Sequence, residues 1–197
     1  MIQKITIAIV MAMLCLNFWV IAQVKPEVLK PVKVGEQVPN EMWDMPMKIY
    51  KNGKYSTETL RKYKGKVIVI DFWATWCGYC VEGFPKLSKL QDSLESGLQV
   101  FLVNKKSVGD TPEKIARVYE LNASHLKDMP IVVEDTILGQ LFPTVSLPTY
   151  AVISGDRYLE GITQSYLFTE AAIVAIVKER NSLLEIRRRI KKEREGN

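Results

Sequence analysis

The chain has 197 residues, of which 47% are hydrophobic and 25% charged. That composition excludes wholesale disorder and low-complexity fibres, and it suits one domain with a small addition. Three cysteines and one histidine are too few for a disulfide scaffold, and Cys15, Cys77, Cys80 and His125 are too scattered for a closed zinc site. The net charge of +5 is local: residues 178–197 carry eight Lys/Arg against four Asp/Glu, so the body is near balance.

Residues 1–22 read as an address. After Lys4, the stretch from Ile5 to Ala22 is apolar apart from Thr6 and Asn17. Val20 and Ala22 are small enough to precede a signal-peptidase cut that leaves Gln23 first. Residues 5–22, at ~1.5 Å each, also span ~27 Å, enough for an uncleaved membrane anchor. Either reading puts the body outside the cytoplasm, periplasmic or otherwise extracytoplasmic, where disulfides persist. Leu14 is too bulky to precede a lipidated Cys15. Residues 23–40, rich in Pro and Lys, read as a linker, 41–180 as the folded domain, and 181–197 as a basic helical extension.

The domain alternates strands and helices. Met47 to Tyr55 carries an Asn-Gly turn between short alternating segments, which predicts a hairpin. Val67 to Trp73 is a continuous apolar run broken by Asp71, the pattern of a central strand buried on both faces. Val81, Phe84, Leu87, Leu90 and Leu94 recur three or four apart and predict a helix from about Tyr79 to Leu94. Leu98–Val103 is a second buried strand. Thr111 and Pro112 open a helix that runs to about Leu121. Ile131–Val133 is a short strand, Thr149–Ile153 and Tyr158–Ile162 form a hairpin, and an amphipathic helix starts at Thr169. This order predicts an α/β fold with a central mixed sheet and helices on both faces.

The chemistry sits in Cys77-Gly78-Tyr79-Cys80, just after a buried strand and at the start of a helix. Free N–H groups and the positive end of the macrodipole favour a thiolate there. A spacing of two residues lets the sulfurs reach bonding distance. The first cysteine ends the loop and is expected to be exposed; the second lies inside the helix and is shielded. Cys77 is therefore the expected attacking sulfur and Cys80 the one that resolves the mixed disulfide. A zinc ribbon would need a second cysteine pair, which this chain lacks, and an inert structural disulfide is the plain alternative.

The run from Tyr63 to Cys80, with Asp71, Trp73 and Trp76 before the cysteines, resembles the active-site strand and loop of thioredoxin-fold proteins. More narrowly, it resembles the extracytoplasmic TlpA/ResA-like thiol-disulfide oxidoreductases, from about Val34-Gly-Glu-Gln-Val-Pro39 to the final helix. Pro85 matches the proline of the family's active-site helix. Leu147-Pro148-Thr149 matches its cis-proline loop, and Pro143 is the weaker candidate for that role. Ser107 to Val133 resembles the branch's helix-strand insertion. Gly78-Tyr79 departs from the commoner Gly-Pro, so a redox potential cannot be carried across, and the basic tail runs past the family's usual end.

The resemblance implies that Asp71 is the buried acid that takes the proton of Cys80, and burial would raise its pKa for that task. Trp76 is assigned a shielding role beside Cys77, with simple packing as the alternative, and the resemblance implies that Gly78, Tyr79, Leu147 and Pro148 line the substrate site, with the Leu147 backbone pairing an extended segment. The expected function is thiol-disulfide exchange with protein substrates, most readily as a reductant fed by a thiol-transferring membrane partner, with cytochrome c apoproteins among the substrates. A disulfide-forming oxidant or isomerase is the alternative. The cysteine pair would be the redox group, with no further cofactor or metal. A copper chaperone on this fold would want a histidine near the cysteines and a longer spacer, and a peroxidase would want a different cysteine motif. Packing is the plainer reading of Met42, Met45 and Met47 around Trp43. A surface position is expected for His125, and a solvated face for Glu82 and for the tail. An exported chain is a poor nucleic-acid binder, so none is expected.

Overall fold

The structure, a computed structural model, describes residues 29–94, 97–126, 129–164 and 169–195. The expected signal or anchor at 1–22, with Cys15, lies outside the described residues. Seven strands form one sheet: β1 (Met47–Lys51), β2 (Lys54–Glu58), β3 (Val67–Trp73), β4 (Leu98–Lys105), β5 (Ile131–Asp135), β6 (Thr149–Ile153) and β7 (Leu159–Gln164). Their order is β2-β1-β5-β4-β3-β6-β7. The central trio β5, β4 and β3 is parallel, while the β1–β2 and β6–β7 hairpins join antiparallel on either side. The helices are α1 (Gly78–Leu94), α2 (Pro112–Leu121), α3 (Ala123–Leu126), α4 (Leu138–Leu141) and α5 (Glu170–Glu195).

Every residue of β3 is buried, Asp71 included, as its apolar run broken by a single acid predicts. Val67, Val69 and Trp73 turn to one face, where Phe84 and Leu87 of α1, Ile115 and Tyr119 of α2, and Ile173 and Val177 of α5 close over them. Ile68, Ile70 and Phe72 turn to the other face. Both faces carry helix, as expected, but unequally: the three long helices share the first face. The second is covered by the single turn α4, by 3-10 turns at Asn40–Trp43 and Leu60–Tyr63, and by the stretch before β1.

That stretch corrects one expectation. Residues 29–40 are a strap on the sheet, not a linker. Val32 N–H donates to the Leu141 carbonyl at 2.9 Å, Gly35 N–H to Leu159 at 2.8 Å, and Val38 N–H to Arg157 at 2.8 Å. Val32 and Val38 are buried, and Met42 and Trp43 behind them are fully so. The reason is cover: among the described residues no long helix lies on the sheet face carrying Ile68, Ile70 and Phe72, and that face must be closed by something apolar. Lys30, Pro31, Lys33 and Pro39 around the valines masked that role. Met42 and Trp43 pack in this core, as expected of methionines beside a tryptophan.

Thr111 caps α2 by accepting from the Lys114 N–H at 3.4 Å, and Pro112 fills the first turn. Pro85 lies inside α1 without ending it. Gly97 sits where any side chain would meet Val177 Cγ1, at 2.7 Å from a built Cβ, so glycine lets α5 close on the start of β4. Beyond Arg180 the helix α5 continues unbroken, and Leu183, Ile186 and Ile190 are exposed along it. Among the described residues no helix is long and apolar enough to cross a membrane.

Candidate active site

The turn from β3 into α1 brings the cysteines together. Cys77 N–H donates to the Ala74 carbonyl at 3.0 Å, closing the turn, and α1 begins at the next residue. Cys77 and Cys80 are joined by a disulfide, with Cα atoms 5.3 Å apart. The Cys80 N–H also donates to Cys77 Sγ at 3.3 Å. The same N–H donates to the Cys77 carbonyl at 3.1 Å, so this first-turn amide is shared between the carbonyl and the sulfur that the sequence marked as nucleophile. Cys77 is less open than expected, at 7% exposure, but the order holds, because Cys80 is at 0%.

The rim is apolar. Trp76 is 66% exposed and Tyr79 80%, so both rings stand largely in solvent beside the cysteines. Gly78 between them is exposed, and a side chain there would meet nothing within 4 Å. The Leu147–Pro148 peptide is cis, whereas Pro143 is not among the cis bonds. Thr149 pairs with Phe72 in the sheet, which sets Pro148 beside the end of β3 where the Cys77 turn begins. Pro148 is buried and Leu147 half-buried. The loop before them is pinned by the Thr149 hydroxyl donating to the Ser146 carbonyl at 2.7 Å and by Gln164 Nε2 donating to Ser146 Oγ at 2.8 Å. It holds Val145 almost wholly in solvent.

Asp71 is fully buried, and neither carboxyl oxygen has a hydrogen-bond partner among the described residues. It lies two residues from both Val69 and Trp73 and so shares their face, the one α1 and Cys80 cover. Burial holds its pKa well above the usual aspartate range. Opposite it on β6 is Tyr150. Burial first, and then the Asp71 charge, raise the Tyr150 phenol, which stays protonated.

Sequence reasoning missed the residues that hold the turn. Asp110 accepts from the Thr75 N–H and hydroxyl and from Asn104 Nδ2. The available signal was slight: an acid directly before the Thr111 cap. Tyr150 was read only as strand. His125 is half-buried at the end of α3, and among the described residues no three His, Cys, Asp or Glu side chains gather as a metal site.

A mixed sheet with a cysteine pair at the junction of a central strand and a helix, beside a cis-proline loop, defines a thioredoxin-fold thiol-disulfide oxidoreductase. The chain belongs to the Redoxin family, which it matches over residues 33–159. It is 27% identical over 134 residues to the thioredoxin-like protein YneN of Bacillus subtilis, covering 66% of this chain and 71% of that one. It is 28% identical over 127 residues to the thiol-disulfide oxidoreductase ResA of the same organism, covering 64% and 68%. Among solved structures, the exposed lipoprotein thioredoxin Etrx1 of Streptococcus pneumoniae superposes with a TM-score of 0.55, at 22% identity, over 68% of this chain and 99% of that one. The likeness to ResA-like proteins stated from the motif is thus found again in a relative matched over 64% of this chain.

Proposed function

We propose that this enzyme works outside the cytoplasm as a reductant of protein disulfides, with Cys77 as the attacking sulfur. The Cys77 thiolate attacks one sulfur of a substrate disulfide. The substrate S–S bond breaks, a Cys77–substrate bond forms, and the second substrate sulfur leaves with the electron pair as a thiolate. Cys80 then gives its proton to the Asp71 carboxylate and attacks Cys77 Sγ. The Cys77–Cys80 bond forms, the mixed disulfide breaks, and the substrate leaves with both its sulfurs reduced. Two electrons have passed from the cysteine pair, which is the redox group, to the substrate. A thiol-transferring membrane protein resets the pair.

The observation that carries this reading is the asymmetry of the site: Cys77 is the less buried sulfur, 7% exposed against 0% for Cys80, with the Cys80 N–H 3.3 Å from it, while Cys80 lies on the face that buries the Asp71 carboxyl. Trp76, Tyr79 and Val145 offer apolar contact to the segment around the substrate cysteine, and the Leu147 backbone offers it a strand partner. Export is supported by the apolar stretch 5–22 and by likeness to a protein named as an exposed lipoprotein. The resemblance to TlpA/ResA-like proteins supports exported cysteine pairs, apocytochromes c among them, as substrates.

Cys77→Ala should abolish insulin reduction, and Cys80→Ala should accumulate a mixed disulfide visible by mass spectrometry. Wild-type turnover in Cys77→Ala would overturn the assignment. Equilibration against glutathione sets the direction: a pair that is oxidised by the glutathione pool is a reductant, and one that is reduced by it is an oxidant, with 30 mV equivalent to ~1.4 kcal/mol.

A further inference from the structure

Thr75 lies in the turn that leads from β3 to Cys77. Its N–H donates to Asp110 Oδ2 at 2.7 Å, and its hydroxyl to Asp110 Oδ1 at 2.5 Å. Asn104, at the end of β4, donates Nδ2–H to the same Oδ2 at 2.7 Å and lies 3.5 Å from the Trp73 carbonyl. Asp110 itself directly precedes Thr111, the cap of α2. One carboxylate therefore ties together the ends of β3 and β4 and the entry to α2. A carboxylate only accepts, and here three donors converge on it, the arrangement that gives short, charge-assisted bonds.

We propose that Asp110 is a positioning residue for the reaction: by fixing Thr75, it holds the turn in which the Cys80 N–H points at Cys77 Sγ. This rests on the reading of Cys77 as the attacking thiol. With the turn fixed, the amide is already in place when the thiolate forms, and no reorganisation is needed. Released from Asp110, the segment from Ala74 to Cys77 samples other conformations, the thiolate loses part of that stabilisation, and the Cys77 thiol titrates higher. The carboxylate has a second effect of opposite sign, because a negative charge nearby disfavours a thiolate through space. Thr75→Val separates the two: it removes a bond to Asp110 and keeps the charge.

The test is the pH dependence of Cys77 alkylation by iodoacetamide in the reduced full chain, read peptide by peptide so that Cys15 and Cys80 are counted apart. Thr75→Val should move the Cys77 midpoint up by about one pH unit, an alkylation rate at neutral pH about tenfold lower. Thr75→Ser, which keeps the hydroxyl, should restore the original midpoint. Asp110→Asn, an isosteric change, should shift upward as well, and a thermal melt shows whether it folds. An unmoved midpoint in Thr75→Val overturns the proposal. A midpoint that falls in Asp110→Asn while Thr75→Val stays put makes Asp110 only a neighbouring charge, and overturns it too. If Cys80 is alkylated before Cys77 in the unmutated chain, it is the reading of Cys77 as attacking thiol that fails.

Discussion

The two faces of β3 are equally buried and differently employed. Toward α1 the strand presents Val67, Val69, Asp71 and Trp73, packed with Cys80, Phe84 and Tyr150. Toward the strap it presents Ile68, Ile70 and Phe72, packed with Val38, Met42, Trp43 and Phe142. The second face behaves as core alone. The first buries a carboxyl with no hydrogen-bond partner among the described residues, an arrangement that costs about 1–3 kcal/mol or more. A strand that could have carried another valine there carries an acid, directly under the helix that starts at the cysteines. Stability does not account for that residue; the proton transfer proposed for Cys80 gives it a role.

Three substitutions sharpen or break this contrast. The largest effect belongs to the strap face: Phe72→Ala should cost about 3–5 kcal/mol in denaturant unfolding, through lost burial and a cavity, with the pH midpoint of exchange unmoved. A moved midpoint would show that the two faces are not independent. Asp71→Asn comes next, and its effect is kinetic. It should slow resolution of the mixed disulfide about a hundredfold in single-turnover quench experiments and leave the first attack nearly intact. The same variant has a signature in stability. The folded Asp71 carboxyl titrates well above its unfolded value. Wild type therefore loses stability as pH rises from the unfolded aspartate pKa, near ~3.9, toward the raised folded one, by up to ~1.4 kcal/mol per unit. Asp71→Asn should be flat over that window and more stable than wild type at neutral pH. A parallel pH profile in both proteins would remove Asp71 from the argument. The smallest effect lies outside the sheet. Arg187 pairs with Asp156 at 3.3 Å with both side chains largely in solvent, and Arg187→Ala should change the melt by no more than ~0.5 kcal/mol.

Much of this was legible in the residues. The apolar run Val67–Trp73, broken only by Asp71, announced a strand buried on both faces, the helix start at Thr111-Pro112 came from capping chemistry, and the cysteine pair declared itself by position. What was not legible had a common cause. Val32 and Val38 are too far apart to show a period, and only a bare sheet face explains why they are buried. The single turns α3 and α4 are too short to show helical spacing. Asp110 is 35 residues from Thr75 in sequence, and no local pattern links a loop acid to a distant turn.

The order of the elements, the strand-to-helix placement of Cys77 and Cys80 and the presence of an acid in a buried strand follow from residue spacing, because periodicity and capping act within a few residues. Which face Asp71 shares with Cys80, how far Cys77 opens to solvent, what covers the second face and what holds the Cys77 turn were decided by the tertiary structure. Those are matters of register between β3, β4 and β6 and of contacts across tens of residues, and such contacts exist only once the sheet has assembled.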